Sequence, residues 1–260
     1  MAEQDQSSKY LDAEASEGIA DSFRRSQKKL ILLDYDGTLV PYACEPAKAL
    51  PDEGLLHLLD KMSSIVNLDL VIISGRHRDF LEGIFGNLKA SLFAEHGAMY
   101  RINGVWESLE NDTSWKDEIV AIMKPFVEST TGSSIEVKQN SVVWHYRKSE
   151  TGLAEKSVAK LIIKLTPACN RNSLTILKGR KIIEVKPSDY TKGTAIINLF
   201  DCNNYDFILA AGDDVTDEDL FEALPHRALK IHIGKFADIS DFTVRNSHEF
   251  VDFLKFLMNQ

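Results

Sequence analysis

The stretch KKLILLDYDGTL, residues 28–39, decides the fold of this chain. The apolar run Leu30–Leu33 follows a basic pair and leads directly into the turn-forming residues 34–38, DYDGT. A short continuous apolar run bounded by turn residues predicts a strand that is buried on both faces. Open α/β sheets bind their ligands beyond the carboxyl ends of such strands. We therefore expect a ligand site around the two aspartates.

Asp34 and Asp36 form a candidate cation site. They are two residues apart, so in an extended strand their side chains point to the same side. Two carboxylates this close repel each other unless a cation or a proton relieves them. Mg²⁺ prefers oxygen ligands and is commonly held by one or two carboxylates together with substrate phosphate, so it fits this need. Gly37 allows the backbone to turn sharply after the strand.

Composition excludes several classes of protein. A formal net charge of −9 gives no electrostatic basis for binding nucleic acid or an anionic membrane surface. The three cysteines, Cys44, Cys169 and Cys202, are far apart and odd in number, so they predict neither a disulfide framework nor a metal site. The N-terminus is polar and no apolar run approaches the length of a membrane span. We expect a protein of a reducing compartment, the cytoplasm.

Strand and helix patterns alternate on both sides of a central insertion. Apolar strands are predicted at 68–73, 92–94 and 206–211, with helical patterns between them. This order predicts a parallel sheet with right-handed crossovers, an α/β core. Residues 1–18 are polar and predict a mobile tail. Residues 19–103 and 186–260 are assigned to the core.

The pattern changes at the Asn103-Gly104 dipeptide, which predicts a hairpin. A helix, two alternating strands, a second helix and a second hairpin then follow as far as Val185. We interpret residues 104–185 as an inserted α+β domain, because it separates two stretches of the same core pattern.

Four polar motifs fall at the ends of core elements, and together they resemble the haloacid-dehalogenase (HAD) superfamily of phosphotransferases. Asp34 and Asp36 end the first strand, Ser74 ends the second, and Asp213 with Asp214 ends the strand at 206–211. Lys192-Gly193, which opens a helix after Pro187, matches the remaining motif. Each of these is a common turn or helix-start feature by itself, so their order along the chain carries the resemblance.

The resemblance implies a role for each motif residue. Asp34, expected to be ionised without help, would attack phosphorus and form an aspartyl phosphate. Asp36 would act as general acid and then general base, and Ser74 and Lys192 would hold the phosphate oxygens. Mg²⁺ would be bound by Asp34, the backbone carbonyl of Asp36, and Asp213. Asp214 and Asp217 would tie down Lys192 or metal-bound water.

Within the superfamily, the chain is similar to the trehalose-6-phosphate phosphatase family over nearly its full length. The segments that carry this similarity are LLDYDGTLVP (32–41), ISGR (73–76), AEHGA (94–98), WHYR (144–147), IEVKP (183–187) and GDDVTDEDLF (212–221). The family implies a Rossmann-like core with a cap inserted after the third core strand. It also implies Mg²⁺-dependent hydrolysis of trehalose 6-phosphate to trehalose and phosphate.

The same resemblance implies sugar-binding residues in the inserted domain. The candidates are Glu136, Lys138, Arg147, Arg180 and Glu184, and Arg76 is expected to help close cap onto core. Which of Arg180 and Lys181 reaches the sugar stays open. His96 either lines the site or satisfies a hydrogen bond in the core. His145 alternates with Trp144 and Tyr146 and is expected on the opposite sheet face.

Two other functions are compatible with the motifs. A HAD phosphatase for another glycosyl phosphate, such as sucrose 6-phosphate, would share the core and differ only in cap residues. A non-catalytic domain that binds a sugar phosphate would more often lack Asp34 or Asp213, and both are present. The expected partners are a small-molecule substrate and, because the chain starts abruptly, a trehalose-6-phosphate synthase domain or subunit.

Overall fold

The computed structural model describes residues 9–43, 45–109, 112–235 and 237–259. The strands are β1 (Lys9–Tyr10), β2 (Lys29–Asp34), β3 (Leu68–Ile73), β4 (Ser91–Ala94), β5 (Met99–Ile102), β6 (Val105–Ser108), β7 (Ser134–Val137), β8 (Val142–His145), β9 (Leu174–Gly179), β10 (Ile182–Pro187), β11 (Phe207–Gly212), β12 (Leu229–Ile233) and β13 (Phe242–Val244). The helices are α1 (Ala13–Arg25), α2 (Glu53–Ser63), α3 (Arg78–Phe85), α4 (Lys116–Ser129), α5 (Thr151–Arg171), α6 (Lys192–Leu199), α7 (Val215–Ala223) and α8 (Ser247–Met258).

The chain forms two compact units. The first comprises Met1–Ser108 and Thr191–Gln260, and the second comprises Leu109–Tyr190. The predicted boundary at residue 104 is wrong in detail, because β6 pairs with β5 in the sheet of the first unit. At the other boundary, β10 continues past residue 185 to Pro187, still paired with β9. Hydrogen bonding within each sheet therefore moves both boundaries a few residues later.

A nine-stranded sheet forms the centre of the first unit. Its order is β1-β13-β12-β11-β2-β3-β4-β5-β6, parallel from β1 to β4 and antiparallel from β4 to β6. The predicted α/β class with a parallel sheet is confirmed. Every residue of β2 is buried, and its side chains alternate between two apolar clusters. Ile31 and Leu33 belong to one cluster, Leu30 and Leu32 to the other. A strand covered on both faces needs the continuous apolar run seen in the sequence.

The strand register places the motif residues side by side. Asp34 pairs with Ile73, so Ser74 lies just beyond it on the neighbouring strand. On the other side of β2, Leu33 pairs with Ala211, two residues before Asp213. Because these strands are parallel, their carboxyl ends lie at one edge of the sheet.

The predicted N-terminal tail is partly structured. Residues 1–8 lie outside the described part, but β1 pairs with β13 and is followed by α1, which begins six residues before the predicted helix. Asp12 caps α1, its Oδ1 accepting a hydrogen bond of 2.8 Å from the Ala15 backbone N–H. Ile19, Ala20 and Phe23 bury the apolar face of α1. The mobile tail assigned to residues 9–18 is therefore wrong, because a helix cap and tertiary burial order this polar stretch.

The second unit is a four-stranded antiparallel sheet with two helices. Its strand order is β7-β8-β10-β9. Trp144, Ile183 and Val185 face an apolar cluster that includes Ile119 and Leu161 of α4 and α5. The opposite face carries Glu136 and Glu184, which both pair with Val143 and so form one row across the sheet. This row is where sequence reasoning located the sugar-binding residues.

Among the described residues, no helix has both the length and the apolar character needed to span a membrane.

Candidate active site

Three carboxylates converge beyond the ends of β2 and β11. One oxygen of each of Asp34, Asp213 and Asp217 lies within 4.8 Å of the others. Asp34 ends β2, Asp213 follows β11, and Asp217 lies in the first turn of α7. The structure thus brings together two aspartates predicted as metal ligands and one predicted as their support.

Lys192 is buried among these acids. Its ammonium group donates hydrogen bonds of 2.6 Å to Asp34 Oδ1 and 2.7 Å to Asp217 Oδ1. Lys192 opens α6, whose start is held by reciprocal hydrogen bonds between Thr191 and Thr194. Burial disfavours the charged amine, but Asp217 and Asp34 raise the pKa of Lys192 well above its usual range. The lysine is therefore held as a cation against the predicted nucleophile.

The surroundings of Asp34 oppose its ionisation, which the sequence-based expectation of a carboxylate ionised without help did not include. Burial raises the pKa of Asp34 well above its usual value, and the nearby Asp217 and Asp213 raise it further, against the opposing charge of Lys192. The sequence could not reveal this, because the effect comes from desolvation and from acids that lie far away in the chain. Among these influences, the charge of Lys192 favours the anionic form of Asp34.

Asp213 lies directly over the turn at Gly37. Gly37 has φ of +96°, and a Cβ there would lie 2.3–2.5 Å from the Asp213 carboxylate oxygens, so only glycine fits. Burial and repulsion from Asp214 and Asp217 raise the pKa of Asp213 to about 7, although a hydrogen bond from the Tyr42 hydroxyl and the charge of Lys192 lower it. The absence of a side chain at Gly37 thus allows both the positive φ of the turn and the close approach of the Asp213 carboxylate.

Asp217 and Asp214 organise the loop that carries Asp213. Asp217 Oδ2 accepts hydrogen bonds from the backbone N–H groups of Asp213 (3.0 Å) and Asp214 (3.2 Å), while Oδ1 accepts from Lys192. Asp214 caps α7, accepting from the backbone N–H of Thr216 at 2.8 Å. The predicted supporting role of Asp214 and Asp217 would use these hydrogen bonds, which hold the loop of Asp213 and the Lys192 ammonium in place.

Asp36 is held by Arg76. The guanidinium forms a bidentate ion pair with the carboxylate, with distances of 2.7 Å from Nε to Oδ2 and 2.6 Å from Nη2 to Oδ1. Arg76 also donates to the Pro46 carbonyl at 2.8 Å and lies over the Phe80 ring. Sequence reasoning assigned Arg76 to the substrate and to closure of the cap, and it missed the pairing with Asp36. Asp36 and Arg76 are 40 positions apart, so no local sequence pattern could have indicated this pairing.

Ser74 is buried directly after β3. Its backbone N–H donates to the Phe93 carbonyl at 2.9 Å, and its hydroxyl accepts from the Arg76 backbone N–H at 3.2 Å. The hydroxyl therefore belongs to a tight loop of residues 74–76 at the same sheet edge as Asp34.

On the polar face of the second unit, both predicted sugar-binding acids have hydrogen-bond partners. Glu136 accepts from His145 Nε2 at 2.7 Å, and this hydrogen bond lowers the pKa of Glu136 against the effect of burial. Glu184 is buried, and its Oε1 accepts from Ser141 Oγ at 2.6 Å and from Lys138 Nζ at 3.2 Å. His145 thus lies opposite Trp144 and on the same face as Glu136. Three of the five predicted sugar-binding residues lie on this face.

The remaining two candidates lie at the loop ends of the same sheet. Arg147 Nη2 donates to the Arg180 carbonyl at 3.0 Å, and Arg180 is exposed in the turn between β9 and β10. Lys181 instead extends toward α5, with Nζ 3.9 Å from Glu155 Oε1 and over the Tyr146 ring.

A family model described as trehalose-phosphatase matches residues 32–252, a range that contains every residue of the site. The chain belongs to the trehalose-phosphatase family. The resemblance inferred from the DYDGT, ISGR and GDDVTDEDLF segments is thereby confirmed.

Trehalose-phosphatase relatives cover most of this chain, but the chain covers only about a third of them. It is 40% identical over 238 residues to a bifunctional trehalose-6-phosphate synthase/phosphatase of Thermoproteus tenax, covering 91% of the chain and 33% of the relative. A trehalose-phosphatase of Schizosaccharomyces pombe is 33% identical over 91% of the chain and 31% of the relative. The solved C-terminal domain of C. albicans trehalose-6-phosphate phosphatase matches with a TM-score of 0.87 at 27% identity, covering 97% of this chain and 99% of that one.

Two carboxylate oxygens in this trehalose-phosphatase fold are suited to a metal ion. Asp34 Oδ2 and Asp213 Oδ1 are buried and have no hydrogen-bond partner among the described residues. A buried carboxylate oxygen without a donor is costly, and a hard cation is the ligand that such oxygens bind. The donor set therefore fits a divalent cation with oxygen preference.

Sequence reasoning missed three residues of the two polar sites. Tyr42 hydrogen-bonds Asp213 from a loop without periodicity, so no local signal could have indicated it. Ser141 and His145 contact the predicted acids Glu184 and Glu136. The alternation with Trp144 predicted the sheet face of His145, but its contact with Glu136 could be found only from the hairpin register.

Proposed function

We propose that this chain hydrolyses trehalose 6-phosphate to trehalose and inorganic phosphate. The observation that carries the proposal is the environment of Asp34: one oxygen is bound by Lys192, and the other is buried beside Asp213 with no hydrogen-bond partner in the described part of the chain. Membership of the trehalose-phosphatase family and similarity to a trehalose-6-phosphate phosphatase domain support the substrate.

The reaction begins at Asp34. A carboxylate oxygen of Asp34 attacks phosphorus, the bond from phosphorus to the sugar oxygen breaks, and an aspartyl phosphate forms. Asp36, in its protonated form, gives its proton to the departing sugar oxygen. Arg76, which pairs with both carboxylate oxygens, then stabilises the Asp36 anion. Asp36 then removes a proton from the water that hydrolyses the aspartyl phosphate, which releases phosphate and restores Asp34.

Lys192 and Ser74 bind the phosphate. The Lys192 ammonium balances charge on Asp34 and on the phosphate oxygens, while Asp217 keeps it in place. Asp34, Asp213 and the backbone carbonyl of Asp36 would hold Mg²⁺, which when bound supplies positive charge that offsets repulsion between carboxylate and phosphate. Positive charge beside Asp34 favours its anionic form, against the burial that raises its pKa.

The second unit recognises the sugar of the substrate. A disaccharide presents hydroxyl groups, which bidentate carboxylates and basic donors recognise by hydrogen bonding. Glu136 and Glu184 form a row on one sheet face, each held by a basic partner, His145 or Lys138. Arg147 and Arg180 add donors at the loop end. We assign the discrimination of trehalose from other sugars to this set.

The cellular setting is part of the proposal. The bifunctional relative joins a synthase and a phosphatase, and the chain spans 33% of that relative. We infer that the chain acts with a trehalose-6-phosphate synthase domain or subunit, in the cytoplasm.

A substrate panel tests the function. Phosphate release is measured with Mg²⁺ for trehalose 6-phosphate, sucrose 6-phosphate and glucose 6-phosphate, with Asp34→Asn as the inactive control. We expect the highest kcat/KM for trehalose 6-phosphate and none detectable for the folded Asp34→Asn variant. Preference for sucrose 6-phosphate would assign a different glycosyl phosphate. Binding of trehalose 6-phosphate without turnover would instead support a regulatory domain.

A further inference from the structure

The turn at Glu95–Gly97, called here the left-handed turn, has an unusual backbone. Three consecutive residues have positive φ: +48° at Glu95, +58° at His96 and +99° at Gly97. Glu95 and His96 are both buried. Residues other than glycine rarely adopt this conformation, and it persists only where the surroundings hold it in place.

One side of the left-handed turn hydrogen-bonds to the Ser74–Arg76 loop and packs against it. The backbone N–H of His96 donates to the Ser74 carbonyl, and that of Glu95 donates to the Arg76 carbonyl, both at 3.0 Å. The His96 imidazole lies against Gly75, where a Cβ would be only 2.6 Å from Nε2. The positive φ angles of Glu95 and His96 direct both of their backbone N–H groups at this one short loop.

The other side of the left-handed turn packs against the start of α6. A Cβ on Gly97 would lie 2.3 Å from the Ala195 Cβ and 3.4 Å from the Thr191 carbonyl oxygen. Thr191 caps α6 and Lys192 is its first residue. The turn therefore touches both the loop that carries Ser74 and the helix that carries Lys192.

We propose that the left-handed turn is a positioning element that sets the spacing between Ser74 and Lys192. These two residues come from segments more than 100 positions apart, and the turn contacts both segments through short, directional contacts. This inference rests on the proposed function, because it assigns both groups to phosphate binding. Glu95, His96 and Gly97 act through other residues and are not themselves catalytic.

Gly97→Ala separates this role from general stability. The added methyl would push the turn away from Ala195. Loss of one hydrogen bond to a charged phosphate oxygen costs about tenfold in affinity. The matched control is Gly104→Ala, because Gly104 also has positive φ (+82°) but its Cβ would come no closer than 3.8 Å to any atom of the residues around it. The second site change Ala195→Gly removes the clash and should restore much of the loss.

The measurement is binding of inorganic phosphate by calorimetry in saturating Mg²⁺, with Mg²⁺ binding measured separately. We expect Gly97→Ala to weaken phosphate binding about tenfold while Mg²⁺ binding is retained. Gly104→Ala should bind both as the unmodified chain does. Unchanged phosphate binding in Gly97→Ala, equal loss of Mg²⁺ binding, or no recovery with Ala195→Gly would overturn the proposal.

His96→Asn provides an independent variant if Gly97→Ala does not fold. Asparagine tolerates positive φ and removes the imidazole from Gly75, so the loop should loosen and phosphate should bind more weakly. Retained phosphate affinity in this variant contradicts the inference. Failure of the proposed function is seen separately, as absence of turnover of trehalose 6-phosphate by the unmodified chain, because phosphate binding does not require turnover.

Discussion

Replacing Lys192 by methionine tests whether the buried lysine holds the acidic cluster together. The side chains of Lys192, Asp34 and Asp217 are 2%, 6% and 0% exposed, and two hydrogen bonds of 2.6 and 2.7 Å join them. Removing one partner of a buried ion pair costs about 3–5 kcal/mol, because the other charge is left without compensation. A typical domain has only about 5–15 kcal/mol of unfolding free energy, so this variant should be near the limit of stability.

The loss in Lys192→Met should depend on pH in a defined direction. Without the ammonium, the folded protein takes up protons on Asp34 and Asp217 that the unfolded chain, with ordinary carboxyl pKa values, does not bind. Stability of the variant therefore rises as the pH falls from 8 toward 5, by about 1.4 kcal/mol per pH unit for each proton taken up. The second substitution Asp34→Asn removes one unpaired charge and should recover part of the loss at pH 8.

Urea unfolding of metal-free protein, followed by circular dichroism at pH 8 and pH 5, measures this penalty. The matched control is Lys255→Met, because Lys255 forms an exposed pair with Asp252 at 2.9 Å, and such pairs contribute at most about 1 kcal/mol. A loss below about 1 kcal/mol for Lys192→Met, or one that is the same at both pH values, would refute the argument that buried charge compensation stabilises this cluster.

Three further outcomes follow from the site. Because the pKa of Asp213 is raised to about 7 by burial and by neighbouring acids, Mg²⁺ must displace a proton at lower pH. The dissociation constant of Mg²⁺, measured by calorimetry, should rise about tenfold per pH unit below 7, and equal affinity at pH 6 and 8 would contradict this pH dependence. Removal of the metal by EDTA should abolish activity reversibly. Gly37→Ala should weaken Mg²⁺ binding and lower the Tm, because its Cβ would displace Asp213. Gly234→Ala should lower only the Tm, because Gly234 has φ of +112° but, its chain neighbours aside, no atom of the described residues lies within 4 Å of the added Cβ. Glu136→Ala should raise KM for trehalose 6-phosphate far more than KM for p-nitrophenyl phosphate, with Glu155→Ala on α5 as the control. Equal effects of Glu136→Ala on both substrates would show that Glu136 does not contribute to sugar recognition.

Local sequence patterns determined the elements of the core and the order of its motifs. The apolar run of β2 predicted a strand covered on both faces, and the structure has that strand. The segments DYDGT, ISGR, Lys192-Gly193 and GDDVTDEDLF each follow or begin an element that the pattern predicts. Because parallel strands end at one edge, the meeting of Asp34, Ser74 and Asp213 at that edge could be predicted without coordinates.

Contacts between distant segments were decided only by the tertiary structure. The pairing of Asp36 with Arg76 and the hydrogen bond from Tyr42 to Asp213 depend on loop geometry, which has no period in the sequence. The ordering of residues 9–18 depends on pairing with β13, a strand of three residues. The sequence also placed an ionised carboxylate at Asp34, whereas burial among other acids raises its pKa. Ionisation depends on the whole surroundings of a group, and only the folded chain brings those surroundings together.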